Sequence, residues 1–384
     1  MKRRRKVAVI ASSRASYGYK RRIIGLLERS KKSELQLIVT GMHLLKPFGY
    51  SVQAIEADGF PIAAKVDMMI GGDTPAAWTK SIGVEIESLS QVFSMLQPDL
   101  LVVTGDRGEM FGAAVTGAYM NIPIAHIQAG DVTGHIDGNA RHAITKLAHI
   151  HLAACEDSAD RVRRLGEEPW RVFNVGAPQL DEMLHGPSLS LDTVAPRFGL
   201  DPSSPFLLVI QHAVLAEVDD AYAQMNETML ALRALETPCV IVYPNADSGG
   251  LAITRAVDEH KDARFIHATS NIERPAFITL LKHASAVVGN SSCGILEAPS
   301  FKVPAVNIGT RQRGRMQASN VINTWHDRRE IGKAVKTATS DRRFRARLAK
   351  CVNPYGDGHS AERIVKILED VELDRRLLDK RITY

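Results

Sequence analysis

The chain has 384 residues, 45% of them hydrophobic and 24% charged, with unbiased glycine and proline counts; this allows sizeable buried cores, suggests two domains, and excludes disordered, fibrous and low-complexity classes. The net charge of +5 resides in one run, Lys2 to Lys6, and the remaining residues are formally neutral, so no face-wide basic footprint for nucleic acid is expected. Cys155, Cys239, Cys293 and Cys351 lack CxxC spacing, and no apolar stretch reaches the roughly eighteen residues of a membrane span, so a reduced, cytoplasmic protein without a membrane segment is expected.

In chain order, short β-branched runs at Val7 to Ile10, Leu35 to Thr40, Leu100 to Thr104, Ile122 to Ile127 and Ile150 to Ala153 alternate with longer amphipathic stretches. That alternation predicts βαβ units in a parallel sheet. Arg107 to Met120 reads as a crossover helix. The pattern breaks around Asn174 to Pro178, which places a domain boundary near 178, and a second series follows at Phe206 to Gln211, Cys239 to Tyr243, Phe265 to His267, Ala286 to Gly289 and Val303 to Ile308. After about residue 328 the chain reads as helical and charged, and a helix over 360–376 is expected to cross back to the first domain. The expectation is therefore two Rossmann-like doubly wound domains, 1–178 and 179–358, with 359–384 packing back. Ligand chemistry is expected in the loops at the carboxyl ends of the strands, facing one interdomain cleft.

Those loops carry the candidate chemistry. Ser12 to Gly18 follows the first strand with small residues and Arg14, a natural anion site, but it has neither GxGxxG nor GxxxxGK[ST]. Gly105-Asp106-Arg107-Gly108-Glu109 sets a carboxylate just beyond a buried strand, either a helix N-cap or a general acid/base. His126 to Asp131 and Val132 to Asp137 bring two further acids to the same edge, ahead of a helix bearing Arg141, His142 and Lys146; His135, Asp137 and His142 follow no metal motif. In the second half, Gly289-Asn290-Ser291-Ser292-Cys293-Gly294 offers hydroxyls and N–H groups to a diphosphate, with Glu297 one turn on for a ribose diol. The arginines of Gly309 to Arg315 suit a phosphate or a solvated face equally. His212, Asn245 and Asp247 complete a polar ring.

Assembled in order, SRASYG at 13 to 18, TGMHL at 40 to 44, GDRGE at 105 to 109, HIQAGDVTGHID at 126 to 137, RHAITKLAHIH at 141 to 151, FNVGAPQLD at 173 to 181, GNSSCGILEAPSF at 289 to 301 and NIGTRQRGR at 307 to 315 resemble the hydrolysing UDP-N-acetylglucosamine 2-epimerases and their relatives acting on bacillosamine-type sugars. The resemblance implies the GT-B architecture and a nucleotide-sugar substrate. It also implies removal of the C2 proton with loss of nucleoside diphosphate, hydration of the resulting glycal, no metal or other cofactor, and a homodimer or homotetramer. By motif, it makes Asp106 and Asp137 general acid/base candidates, with Asp131 a third carboxylate. His43 falls near the sugar and His212 near the diphosphate. Arg107 falls at the nucleotide end. Arg14, Ser291, Ser292 and Arg311 fall on phosphate oxygens, Glu297 on the ribose, and Asn245 in the nucleotide pocket.

Three positions depart from the family pattern. Gln128 stands where the sialic-acid enzymes commonly carry the acid of HIEGGE, Ser16 replaces the acid of RADYG, and Gly138 replaces an acid that often follows the GxID aspartate. An amide cannot abstract a proton at neutral pH, so the C2-base role is expected to pass to Asp106, Asp131 or Asp137, with Gln128 as a substrate-binding group. The changes point to a different sugar, to reassigned roles, or to a protein that binds without turnover; a GT-B glycosyltransferase is the alternative enzyme.

Overall fold

Alternate residues of each central strand serve opposite faces of a sheet, and both faces are covered by helices. On the first strand, Val7, Val9 and Ala11 pack with Ile23, Ile24 and Leu27 of the helix Arg14–Arg29 and with Ile364 and Leu368 of the helix Ser360–Asp370. Ala8 and Ile10 pack the other way, against Leu89 and Phe93 of the helix Pro75–Leu96 and Met110 and Ala113 of the helix Gly108–Tyr119. A strand buried on both faces must be apolar throughout, which is why these runs read as continuous rather than alternating.

The computed structural model describes residues 3–384 apart from 47–48, 72–73, 133–135 and 245–248, and does not describe the side chains at 14, 15, 136 and 137. The chain divides into two compact units, Met1–Glu182 with Tyr355–Tyr384, and Met183–Pro354. The first holds a parallel sheet of β1 (Arg5–Ala11), β2 (Ser33–Thr40), β3 (Ile62–Val66), β4 (Leu100–Thr104), β5 (Ile124–Ile127), β6 (Ile150–Ala153) and β7 (Val172–Asn174), in the order β3-β2-β1-β4-β5-β6-β7. The second holds β8 (Leu207–Ile210), β9 (Cys239–Val242), β10 (Ile266–Thr269), β11 (Ala286–Gly289), β12 (Ala305–Ile308) and β13 (Val321–Thr324), in the order β10-β9-β8-β11-β12-β13. In each sheet the order reverses once, between β1 and β4 and between β8 and β11, and these two gaps are the topological switch points where open parallel sheets accept ligands.

β3, β7 and β13 are not among the strands read from the sequence. All three are sheet edges, short or half-exposed, so they lack the dense apolar signal of the central strands. The helical reading of 360–376 resolves into Ser360–Asp370 and a short turn of helix at Arg375–Leu378. The first of these belongs to the first unit and is anchored there by Asp181, whose carboxylate accepts the N–H groups of Ser360 (3.0 Å) and Ala361 (2.6 Å). A carboxylate from elsewhere in the chain thus caps a helix whose own preceding residue, His359, makes no side-chain cap. All four cysteines are buried and free.

Candidate active site

At the first switch point, β1 leads into Ser12 and Ser13 while β4 leads into Gly105, Asp106 and Arg107. Ser13 caps the helix Arg14–Arg29 reciprocally with Ser16: the Ser16 N–H donates to the Ser13 hydroxyl, and the Ser13 N–H to that of Ser16 (3.2 Å). Ser16, the residue that replaces the acid of RADYG, is therefore buried in a capping role. Arg14 is the first residue of that helix, and its side chain lies outside the described residues.

Asp106 is not the N-cap residue of the helix that follows it. Arg107 occupies the N-cap position of Gly108–Tyr119, and the Asp106 carboxylate instead accepts a hydrogen bond from the buried guanidinium of Arg141. The same guanidinium donates to the Gln128 carbonyl (2.7 Å), so Arg141 ties the end of β4 to the end of β5. Gln128 takes a left-handed backbone conformation, φ 61°, an uncommon one for a side chain with a Cβ. Its N–H is held by the Leu152 carbonyl at 2.8 Å and its side-chain amide donates to Gln179 at 3.4 Å. Sequence reasoning noted Arg141 but gave it no role; only its contacts reveal that it organises the carboxylate.

The remaining first-unit candidates lie on the same sheet edge. Asp131 accepts from the Ser158 hydroxyl (2.7 Å), beside Arg161, which donates to the Gly130 carbonyl. Gly130 is required here, since a Cβ at its φ of 76° would meet the Ser158 carbonyl at 2.1 Å. His43, in the short turn of helix Gly41–Leu44 after β2, is buried, with Nδ1 2.8 Å from the Ser51 hydroxyl and its ring edge-on to Tyr17. Asp137 begins the first turn of the helix Ile136–Leu147, and its side chain lies outside the described residues. Gly138, on the same turn, is buried.

Arg107 is engaged within its own unit. Its guanidinium rests on the buried carboxylate of Glu109 at 3.1 to 3.3 Å. Behind that pair is Glu85, fully buried, with neither carboxyl oxygen hydrogen-bonded among the described residues. Burial first, and then the Glu109 charge, push the Glu85 carboxyl well above the usual carboxylate range. Burial also pulls the Lys20 ammonium down to about 7, with Glu109 opposing; its Nζ donates to the Ile10 carbonyl. The sequence singled out neither Glu85 nor Lys20 by motif, and Glu109, the last residue of GDRGE, was given no role.

In the second unit, Asn290 joins the two strands of the switch point. Its side chain accepts the His212 N–H (2.7 Å) and donates to the His212 carbonyl (2.8 Å), while the N–H groups of Asn290 and Ser291 both reach the Ile210 carbonyl. The close approach demands Gly289, where a Cβ would meet that carbonyl at 2.2 Å. Arg311 and Gln312 both donate to the Asn290 carbonyl, at 3.2 and 2.8 Å. His212, Ser291, Ser292 and Arg311 are thereby gathered around one loop junction. Glu297 is buried just beyond, its carboxyl raised by burial, with one oxygen making no hydrogen bond among the described residues. Asn245 lies outside the described residues.

Two doubly wound parallel sheets, each with polar loops gathered at its switch point, define a GT-B-like α/β protein. The chain belongs to the UDP-N-acetylglucosamine 2-epimerase family, whose model matches residues 26–369. It is 35% identical over 380 residues to a UDP-N,N'-diacetylbacillosamine 2-epimerase (hydrolyzing) of Legionella pneumophila, covering 99% of this chain and 100% of that one. It is 31% identical to a GDP/UDP-N,N'-diacetylbacillosamine 2-epimerase (hydrolyzing) of Campylobacter jejuni, over 84% of each chain. Among solved structures, UDP-GlcNAc 2-epimerase from Neisseria meningitidis bound to UDP-GlcNAc aligns with a TM-score of 0.77 at 18% identity, covering 94% of this chain and 99% of that one; this likeness concerns the fold.

Proposed function

We propose that the protein is a hydrolysing nucleotide-sugar 2-epimerase. A carboxylate at the first switch point takes the C2 proton of a nucleoside-diphosphate-linked N-acetylated hexose as the C1–O bond breaks and the nucleoside diphosphate departs, leaving a glycal. Water then adds its oxygen to C1, and C2 regains a proton on the opposite face, releasing the free 2-epimer. The observation that carries this reading is that both switch points are furnished with the groups each half of the reaction needs. The first has Asp106 held by Arg141; the second has His212, Ser291 and Arg311 on one loop junction.

The roles assigned are those the motif resemblance implies, weighed against the chemistry of each group. Asp106 is assigned as the proton acceptor because Gln128 is an amide and the Asp106 carboxylate stands at the end of β4, oriented by Arg141. Asp137 and Asp131 are the further carboxylates for hydration of the glycal, and His43 and Gln128 contact the sugar. Arg14, Ser291, Ser292, Arg311 and His212 take the charge that develops on the departing diphosphate. Glu297 offers its unbonded oxygen to ribose hydroxyls, and Asn245 is assigned to the nucleotide by its motif position alone. Arg107, fixed by Glu109, lies beside Asp106 as a substrate contact. The proposed substrate is UDP-GlcNAc or a UDP- or GDP-linked relative such as the diacetylbacillosamine sugars named for the two relatives, and the proposed setting is the supply of nonulosonic acids by a cytoplasmic homo-oligomer.

The amide at Gln128 favours one second reading, a nucleotide-sugar binding protein without turnover. Acceptor-free release of nucleoside diphosphate decides between them. A hydrolysing epimerase liberates UDP or GDP stoichiometrically with free sugar when no acceptor is supplied. A glycosyltransferase releases it only with an acceptor, and a binding protein not at all.

A further inference from the structure

Asp106 is braced by a relay of contacts that begins in a segment more than 230 residues away along the chain. We infer that Lys380, Thr145 and His126 are positioning residues for the Asp106 loop; this inference rests on the epimerase reading for its kinetic consequence and on geometry alone for its structural one. All of the groups involved belong to the first unit.

The relay starts at the carboxyl end of the helix Ile136–Leu147, the helix that carries Arg141. Lys380 Nζ donates to the carbonyls of Thr145 (3.2 Å), Lys146 (2.8 Å) and Ala148 (2.7 Å), which the helix itself leaves without intrahelical donors. A cation there also complements the negative end of the helix dipole. The same ammonium lies 2.7 Å from the buried carboxylate of Glu167, which accepts from Lys146 (2.9 Å) and His151 (2.9 Å) as well. The segment bearing Lys380 is held in turn by Arg171, a fully buried guanidinium that donates to the carbonyls of Leu377 (2.6 Å) and Arg376 (2.8 Å). The Trp170 ring has the Arg171 and Arg376 guanidinium carbons at 4.2 and 4.6 Å from its centroid.

From the clamped helix two routes reach Asp106. Arg141, one turn before Thr145, grips the carboxylate itself. The second route passes through His126: Nε2 lies 2.7 Å from the Gly105 carbonyl and Nδ1 3.2 Å from the Thr145 hydroxyl. A carbonyl can only accept, so Nε2 carries the hydrogen. Burial lowers His126 to about 3, so the ring is neutral, Nδ1 is an acceptor, and the Thr145 hydroxyl must donate to it. The peptide immediately before Asp106 is thus fixed by a directional chain from Thr145 through His126 to Gly105. Every group of this relay belongs to the first unit, so its loss is expected in turnover rather than in nucleotide binding.

Two variants test it in the full-length protein, by hydrogen–deuterium exchange and by kinetics with UDP-GlcNAc and UDP-N,N'-diacetylbacillosamine. Lys380→Met removes the clamp and is expected to speed exchange both at 140–149 and at 104–107, and to lower kcat tenfold or more with KM within about twofold. Thr145→Val keeps the clamp and cuts only the His126 route, so exchange is expected to rise at 104–107 alone, with a smaller fall in kcat. Combined with Arg141→Lys, Lys380→Met is expected to cost much less than it does alone, since both act through the same carboxylate. Faster exchange confined to 140–149 with unchanged kcat overturns the relay and leaves Lys380 a local helix cap. If the wild-type protein releases no nucleoside diphosphate from any nucleotide sugar but exchange still propagates to 104–107, the relay stands and it is the epimerase reading that fails.

Discussion

Single residues decide the chemistry. Asp106 is the carboxylate the account depends on, and Asp106→Asn keeps its size and leaves Arg141 in place while removing the group that takes the proton. Turnover is expected to fall by about 10²–10⁴-fold, the range for loss of a general base, with UDP affinity within about twofold of wild type by calorimetry. Turnover near the wild-type rate would move the base to Asp131 or Asp137. The motif made Asp106 conspicuous, and what it does was only half legible: the sequence left a helix cap and an acid/base group equally open. The fold sets Arg107 at the N-cap position and the Asp106 carboxylate on Arg141. Arg141 itself could not be read, because it sits more than thirty residues from its partner and nothing in local spacing brings it there. Ser16 shows the reverse case, a position whose departure from the family pattern turns out to complete a capping box.

At the scale of elements, the legible parts were those whose burial is uniform. β4 and β11 match their expected bounds because every residue is buried and, up to the closing Thr104 and Gly289, apolar. β3, β7 and β13 were missed because an edge strand is half solvated and its pattern is diluted by polar residues. Polar groups buried between helices were equally hidden. Glu85 lies in the helix Pro75–Leu96 and meets Gly112 of Gly108–Tyr119, where an added Cβ would stand 2.5 Å from its carboxyl oxygen. Its native carboxyl is raised above the unfolded one, so the folded state binds the proton more tightly. This contribution is therefore complete below about pH 4.5 and is lost as pH climbs toward the native value. Glu85→Gln removes that loss. Urea midpoints measured at pH 5 and pH 8 are expected to be similar to wild type at the lower pH and higher than wild type at the upper. A deficit that widens with pH would mean that Glu85 is stabilised as an anion.

For the whole molecule, the alternation of strand and helix made two doubly wound sheets readable, and the strand orders then locate both sets of loops at switch points. Residues that the sequence could only rank as loop candidates, Asp106 in the first unit and His212 and Ser291 in the second, fall at those points, with Arg311 reaching the second through the Asn290 carbonyl, which gives the roles proposed for them a topological reason. What no motif conveys is the support from the far end of the chain: Lys380 and Arg171 become meaningful only when residues 355–384 return to the first unit. The central claim is that C2 loses its proton to the protein, and deuterium at C2 reports that event directly. The protein is incubated in deuterated water with UDP-GlcNAc and, separately, with UDP-N,N'-diacetylbacillosamine, while both sugar and nucleotide are followed by NMR. The account predicts UDP together with a free 2-epimerised sugar carrying deuterium at C2 in at least one of the two. UDP released with a sugar that keeps its original hydrogen and configuration at C2 would contradict it.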